Sequence, residues 1–257
     1  MPDSQQEESR MPLLDHLREL RSRLIRAAIA IGLGCAAAYV KADLLFGLLT
    51  LPLREVSQGR VLLIGTGIEE AFFTKLKVAL IAGLFLASPV VFYQIWRFVA
   101  PGLYTAERRL AVPFVATATL FFLLGAYFCW AVVFKLGYSF FLSQYASIGV
   151  RPTIRITRYL RFSAKLLLGF GVTFELPIFT YFLVRLGLID YRMMLRHFRY
   201  AVLAIFVLAA ALTPPDMLSQ FLLAIPLLLL YGASVGVAYL ARSQPAPVPV
   251  EQAPDAG

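Results

Sequence analysis

Glu175 has the least expected position in this sequence. It stands in Phe170-Gly-Val-Thr-Phe-Glu-Leu-Pro177, inside a long apolar run. An ionised side chain at the centre of a bilayer costs roughly 2.5–3.5 kcal/mol on insertion scales, so this carboxylate should face a bundle interior or a wet cavity, or be protonated. Pro177 places a second polar group nearby, because proline has no N–H for the carbonyl four residues earlier, at Thr173. Two roles stay open: a neutral acid hydrogen-bonded across a helix bundle, or a polar site used by a substrate or a proton.

Three other acids invite the same question. Asp216 and Gln220 are one helical turn apart and share a face. Following Pro214 and Pro215, Asp216 is also a natural N-cap, which is reason enough for an aspartate there. Glu19 and Arg23 stand at i and i+4, in the order that supports a helix. Glu107 lies in Phe98-Val-Ala-Pro-Gly-Leu-Tyr-Thr-Ala-Glu-Arg-Arg109, a polar hinge between two apolar runs, where Arg108 or Arg109 could neutralise it. If the hinge and the N-terminal helix share one membrane face, Glu19 and Glu107 offer two separated carboxylates. Each can take a guanidinium in a bidentate pair, which is stronger and more directional than an ammonium contact.

No catalytic set accompanies these groups. His-Glu-x-x-His and the Walker lysine loop are absent, and His16 and His197 stand singly. Neither an enzyme nor a bound metal is expected. Cys35 and Cys129 are too few for a disulfide framework and read as small helix-packing residues. The chain is 60% hydrophobic and 15% charged, which excludes an ordinary soluble domain and leaves an all-α polytopic membrane protein. A formal net charge of +9 fits lysines and arginines flanking membrane spans, not nucleic-acid binding.

The elements that must position these acids follow from periodicity. Residues 1–10 are polar and read as a disordered tail. Leu13, Leu17, Leu20 and Leu24 fall at helical spacing and predict an amphipathic, interfacial helix over 11–24. It runs into a first span at about 25–48, which Pro52 ends or kinks. A retained first helix is a simpler reading than a cleaved leader, because the run starts far from residue 1. A mixed loop over 53–75 leads to a second helix ending near Trp96, with Pro89 inside it. A third helix is expected over 110–134, a long loop over 135–162 and a fourth helix over 163–186. The run 200–212 makes only about 20 Å of helix, short for a crossing, and 217–240 makes the last. The membrane domain thus covers 11–240, with 241–257 a proline-rich disordered tail. The short loops favour a cytoplasmic N-terminus, although the stretch 151–161 is itself basic.

Met11-Pro-Leu-Leu-Asp-His-Leu-Arg-Glu-Leu-Arg-Ser-Arg-Leu24 and the hinge 98–109 resemble motifs of the TatC family, the core receptor subunit of the twin-arginine protein translocase. The resemblance continues, in the family's order, through Phe174-Glu-Leu-Pro177 and Thr213-Pro-Pro-Asp-Met-Leu-Ser-Gln220. It implies six spanning helices in a concave, cup-like bundle, the last two short, with both termini cytoplasmic in a bacterial inner membrane. It implies recognition of twin-arginine signal peptides on folded cargo at Glu19, Arg21, Phe98 and Glu107, with the two glutamates meeting the signal's arginines. Pro52 matches a family position in the first outer loop. Glu175, Asp216 and Gln220 match polar positions of the cup, with Glu175 and Gln220 tied to the single-span partners TatB and TatA. The resemblance further implies transport driven by the protonmotive force without a cofactor, in a complex holding several copies of the chain. The basic stretch 151–161 matches no family motif. The rival reading is a proton-coupled transporter of small solutes with Glu175 as proton carrier.

Overall fold

A computed structural model describes residues 3–99, 111–213 and 216–242. Among the described residues the regular structure is helical apart from one pair of short strands. Its elements are α1 Asp3–Tyr39, α2 Ala42–Ser57, β1 Leu62–Ile64, α3 Glu70–Val99, α4 Ala111–Phe128, α5 Phe134–Ser147, β2 Thr153–Arg155, α6 Ile156–Thr173, α7 Leu176–Arg185, α8 Tyr191–Arg196, α9 Phe198–Leu212 and α10 Met217–Arg242. Among the described residues five stretches are long and apolar enough to cross a membrane: Leu17–Tyr39, Glu70–Phe98, Val112–Ser147, Ile156–Arg185 and Met217–Ala241. Phe198–Leu212 is apolar but shorter. Leu33, Leu120 and Leu229 on these stretches are exposed, as lipid-facing side chains should be.

The helices form two compact units, Met1–Val172 and Thr173–Gly257. In the first, α1 packs along α3 because two glycines let their backbones touch. A Cβ on Gly34 would lie 2.6 Å from the Gly83 carbonyl oxygen, and one on Gly83 only 2.4 Å from the Cys35 nitrogen. Small residues at a crossing replace the hydrophobic drive that lipid removes. Helix α3 meets α4 through aromatic rings, with Trp96 and Phe114 at 4.5 Å and Phe85 and Phe122 at 5.0 Å between centroids. Gly171 of α6 leaves room for the Phe122 ring.

In the second unit α10 is the common partner. Tyr231 donates its hydroxyl to the Met194 carbonyl at 3.0 Å, and Tyr191 stands edge-on to Tyr239 at 5.3 Å. Phe206 of α9 and Phe221 of α10 meet at 5.0 Å.

Several expectations need correction. Helix α1 starts at Asp3, so the segment 1–10 expected to be disordered is helical from there; its run of Ser, Gln and Glu includes good helix formers. The first span ends at Tyr39 instead of continuing to 48, and a turn at Lys41 starts a separate α2. Pro52 does not end that helix but lies inside it. The expected loop over 135–162 is helical as far as Ser147, because α4 passes into α5 through a π-helical turn at Cys129–Val133. The fourth helix begins at Ile156 and breaks after Thr173, so Glu175 lies at a helix junction and not mid-helix. Glu107, Arg108, Arg109, Pro214, Pro215 and the tail beyond Arg242 lie outside the described residues.

Candidate functional site

The N-terminal acid is held by its own helix. Arg23 Nη2 donates to Glu19 Oε1 at 2.5 Å, one turn apart on α1, with the Glu19 side chain one-third exposed. The remaining guanidinium nitrogens of Arg23, Nε and Nη1, are buried without a hydrogen-bond partner among the described residues. Arg21 is exposed on the same helix and lines a shallow cavity of about 300 Å³ with Arg18, Ser22, Ile25 and Arg26. Leu17, Leu20 and Leu24 are exposed beside it. This end of α1 therefore offers a carboxylate already paired to a guanidinium, set among apolar side chains and other cations.

Phe98 is half-buried at the C-terminal end of α3. The preceding residue, Arg97, lies over the Tyr93 ring at 5.8 Å, and Trp96 is buried against Phe114. The chain entering the hinge is thus anchored by aromatic packing. Glu107 lies beyond the described residues.

Pro52 is fully buried. A proline at this position leaves the Leu48 carbonyl without its helical donor. Trp130, in the π-helical turn, donates its indole N–H to that oxygen at 2.9 Å. Tyr159 donates to the next carbonyl, Leu49, at 2.6 Å. Ser163 links this point to Tyr138, whose hydroxyl lies 2.8 Å from Ser163 Oγ. The proline is tolerated because the unit supplies external donors where the helix lacks one.

Glu175 is 3% exposed, and both its carboxylate oxygens lack a hydrogen-bond partner among the described residues. Its backbone serves α7, since the amides of Ile178 and Phe179 donate to its carbonyl at 3.0 and 2.9 Å. The junction arises because Pro177, in the first turn of α7, cannot continue the ladder from α6. A buried carboxyl without a donor suits a neutral acid or a group awaiting a partner.

Asp216 does cap α10, as its type and place predicted. The Ser219 amide donates to Asp216 Oδ1 at 2.7 Å, and the Ser219 hydroxyl bonds the other carboxylate oxygen. Gln220 has a different task, donating Nε2 to the Phe206 carbonyl at 2.8 Å and so tying α10 to α9. The two share a face but not a function within this unit.

Sequence reasoning missed Gln94, whose Oε1 is buried in α3 without a partner among the described residues, and Glu70, whose carboxylate gathers donors from Thr66 just before it and from Thr157, 87 positions away. An amide in an apolar run was a usable signal for the first. The second depends on strand pairing that no local pattern carries. Among the described residues there is no group of three potential metal ligands.

The sequence profile described as "Sec-independent protein translocase protein (TatC)" matches residues 15–226. The chain belongs to the TatC family. Relatives named Sec-independent protein translocase protein TatC include one from Desulforapulum autotrophicum, 43% identical over 89% of this chain and 84% of its own. Another, from Campylobacter jejuni, is 40% identical over 91% of this chain and 96% of its own. A crystal structure titled as the twin-arginine translocase receptor TatC superimposes with a TM-score of 0.78 at 37% identity, covering 88% of this chain and 99% of that one. Family membership makes this TatC chain a membrane-embedded component of a Sec-independent protein translocase.

Proposed function

We propose that this TatC chain is the receptor that binds twin-arginine signal peptides at the membrane face carrying the start of α1 and the hinge 98–109. The observation that supports this most directly is the Glu19 carboxylate, one-third exposed, holding a guanidinium at 2.5 Å. An arginine from a signal peptide replaces Arg23 there, and a second arginine meets Glu107. Phe98 and the exposed leucines of α1 give the apolar part of the signal a surface to enter.

In this reading both termini are cytoplasmic, the apolar helices make six crossings of a bacterial inner membrane in a cup-like bundle, and several copies join in one receptor complex. TatA- and TatB-type single-span subunits dock at the membrane level of Glu175 and Gln220. Folded cargo then moves under the protonmotive force, with no chemical step on the chain. A small-solute transporter has no support in the two relatives described above, each named Sec-independent protein translocase protein TatC. Glu175, buried without a donor, fits a docking partner's hydroxyl or a transferable proton equally well within the translocase.

Photo-crosslinking tests the placement. A twin-arginine signal peptide with a photoreactive residue next to its arginines should label residues around Glu19 and Glu107 in membrane vesicles. Labelling confined to the α2 and β1 end of the unit would refute it.

A further inference from the structure

The basic stretch at 151–161, which the receptor reading does not use, is folded into a cavity. Strands β1 and β2 pair in parallel, with Leu62 opposite Thr153 and Ile64 opposite Arg155. This pairing brings the starts of α3 and α6 together. The Glu70 carboxylate fastens them, accepting the amides of Thr66 at 2.5 Å and Thr157 at 3.0 Å and the hydroxyls of both threonines. Arg155 donates to Thr66 Oγ1 at 2.9 Å. Glu70 is thus occupied by neutral donors, leaving the cations around it to find other anions.

Those cations line a cavity of about 580 Å³ that includes Lys77, Arg155, Arg158 and Arg161, with Glu69 and Glu70 as its carboxylates. Lys77, Arg158 and Arg161 are exposed, and no ion pair joins them to a carboxylate among the described residues. Arg158 and Arg161 are i and i+3 on α6, so they share one face.

Depth decides what fits. Glu70 and Ile156 are the first residues of two membrane-crossing stretches. Lys77 lies about 10 Å along α3 from that start and Arg161 about 7.5 Å along α6, at 1.5 Å per residue. These depths lie around the boundary between headgroups and hydrocarbon, and exposed Phe73 lies one turn nearer the surface, where aromatic rings collect. On α3, exposed Leu76 stands next to Lys77 and exposed Leu80 lies about one turn deeper. An anion bound here meets forked donors at one end and an apolar helix surface at the other.

We infer that this cavity binds the phosphate of an anionic phospholipid in the leaflet opposite the start of α1. Lys77, Arg158 and Arg161 hold the phosphate, and an acyl chain follows Leu76 and Leu80.

The test uses the full chain in phosphatidylcholine vesicles doped with photoactivatable phosphatidylglycerol, with photoactivatable phosphatidylcholine as comparator and crosslinks mapped by peptide mass spectrometry. Each basic residue near an anionic surface is worth about a fivefold preference, so phosphatidylglycerol should exceed phosphatidylcholine by at least about fivefold at residues 73–80 and 158–161. Arg158→Gln with Arg161→Gln should bring the ratio close to one. Equal labelling by the two lipids overturns the inference, as does an undiminished ratio in the double variant. Loss of the phosphatidylglycerol labelling on adding inorganic phosphate at unchanged ionic strength also overturns it, because the site would then be one for a soluble anion. Should the double variant fail to give monodisperse protein, the wild-type lipid ratio and the phosphate competition decide the matter alone.

Discussion

Trp130 donates its indole N–H to the Leu48 carbonyl, the oxygen that Pro52 deprives of its donor one turn later in α2. The proline, the tryptophan and the π-helical turn that carries it form one device, although 82 positions separate donor and acceptor. A Trp130→Phe variant keeps the ring and removes the donor, leaving a carbonyl unsatisfied. It should lose about 1–3 kcal/mol, read as a lowered midpoint in detergent denaturation. Pro52→Ala in the Trp130→Phe background restores a helical N–H and should recover part of that loss, which a double-mutant cycle measures.

The α1 and α3 crossing depends on absent side chains. Gly83→Ala puts a methyl carbon 2.4 Å from the Cys35 amide nitrogen, so one backbone must move. Gly32→Ala, with nothing within 4 Å of the added carbon, is the matched control. The first should destabilise by about 1–3 kcal/mol and the second should be neutral or slightly stabilising, as measured by thermal unfolding of the purified protein.

Asp216 holds α10 by capping, so Asp216→Ala should cost about 1 kcal/mol in unfolding, whereas Asp216→Asn retains an acceptor and should lose little. If the alanine variant unfolds like the parent, the cap contributes nothing measurable.

Arg23 competes with any incoming guanidinium for Glu19. An i,i+4 pair of this kind is worth about 0.3–0.5 kcal/mol, so Arg23→Gln should tighten signal-peptide binding by about twofold. A weakening on titration with a fluorescent signal peptide would mean that Arg23 itself helps hold the signal.

Much of the fold was legible where the information is local. The short run at 200–212, the helical character of 217–240, Pro89 inside its helix and the Asp216 cap all follow from apolar length or residue type within one turn, and the structure has them. The boundaries that failed depend on distant groups. Pro52 looked like a helix end because its external donor, Trp130, cannot be inferred from the residues around it. The helix through 135–147 looked like a loop because Lys135, Ser139, Gln144 and Ser147 interrupt the apolar pattern. Lys135 in fact pairs with Glu55 at 2.7 Å, a partner in another helix. Residues 151–161 acquire their meaning only when β2 finds β1. At the candidate site, the Glu19 and Arg23 pair was readable from spacing alone, while the isolation of the Glu175 carboxyl was readable only as an intramembrane acid.

The most direct test of the receptor reading is the affinity of a synthetic signal peptide containing Arg-Arg, compared with its Lys-Lys counterpart, for the detergent-purified chain. Bidentate pairing at two carboxylates predicts a preference for Arg-Arg of about tenfold or more, reduced strongly by Glu19→Gln or Glu107→Gln in protein that remains folded. Equal affinity for the two peptides, or a preference unchanged in both variants, would contradict the assignment of these glutamates as the arginine-binding groups.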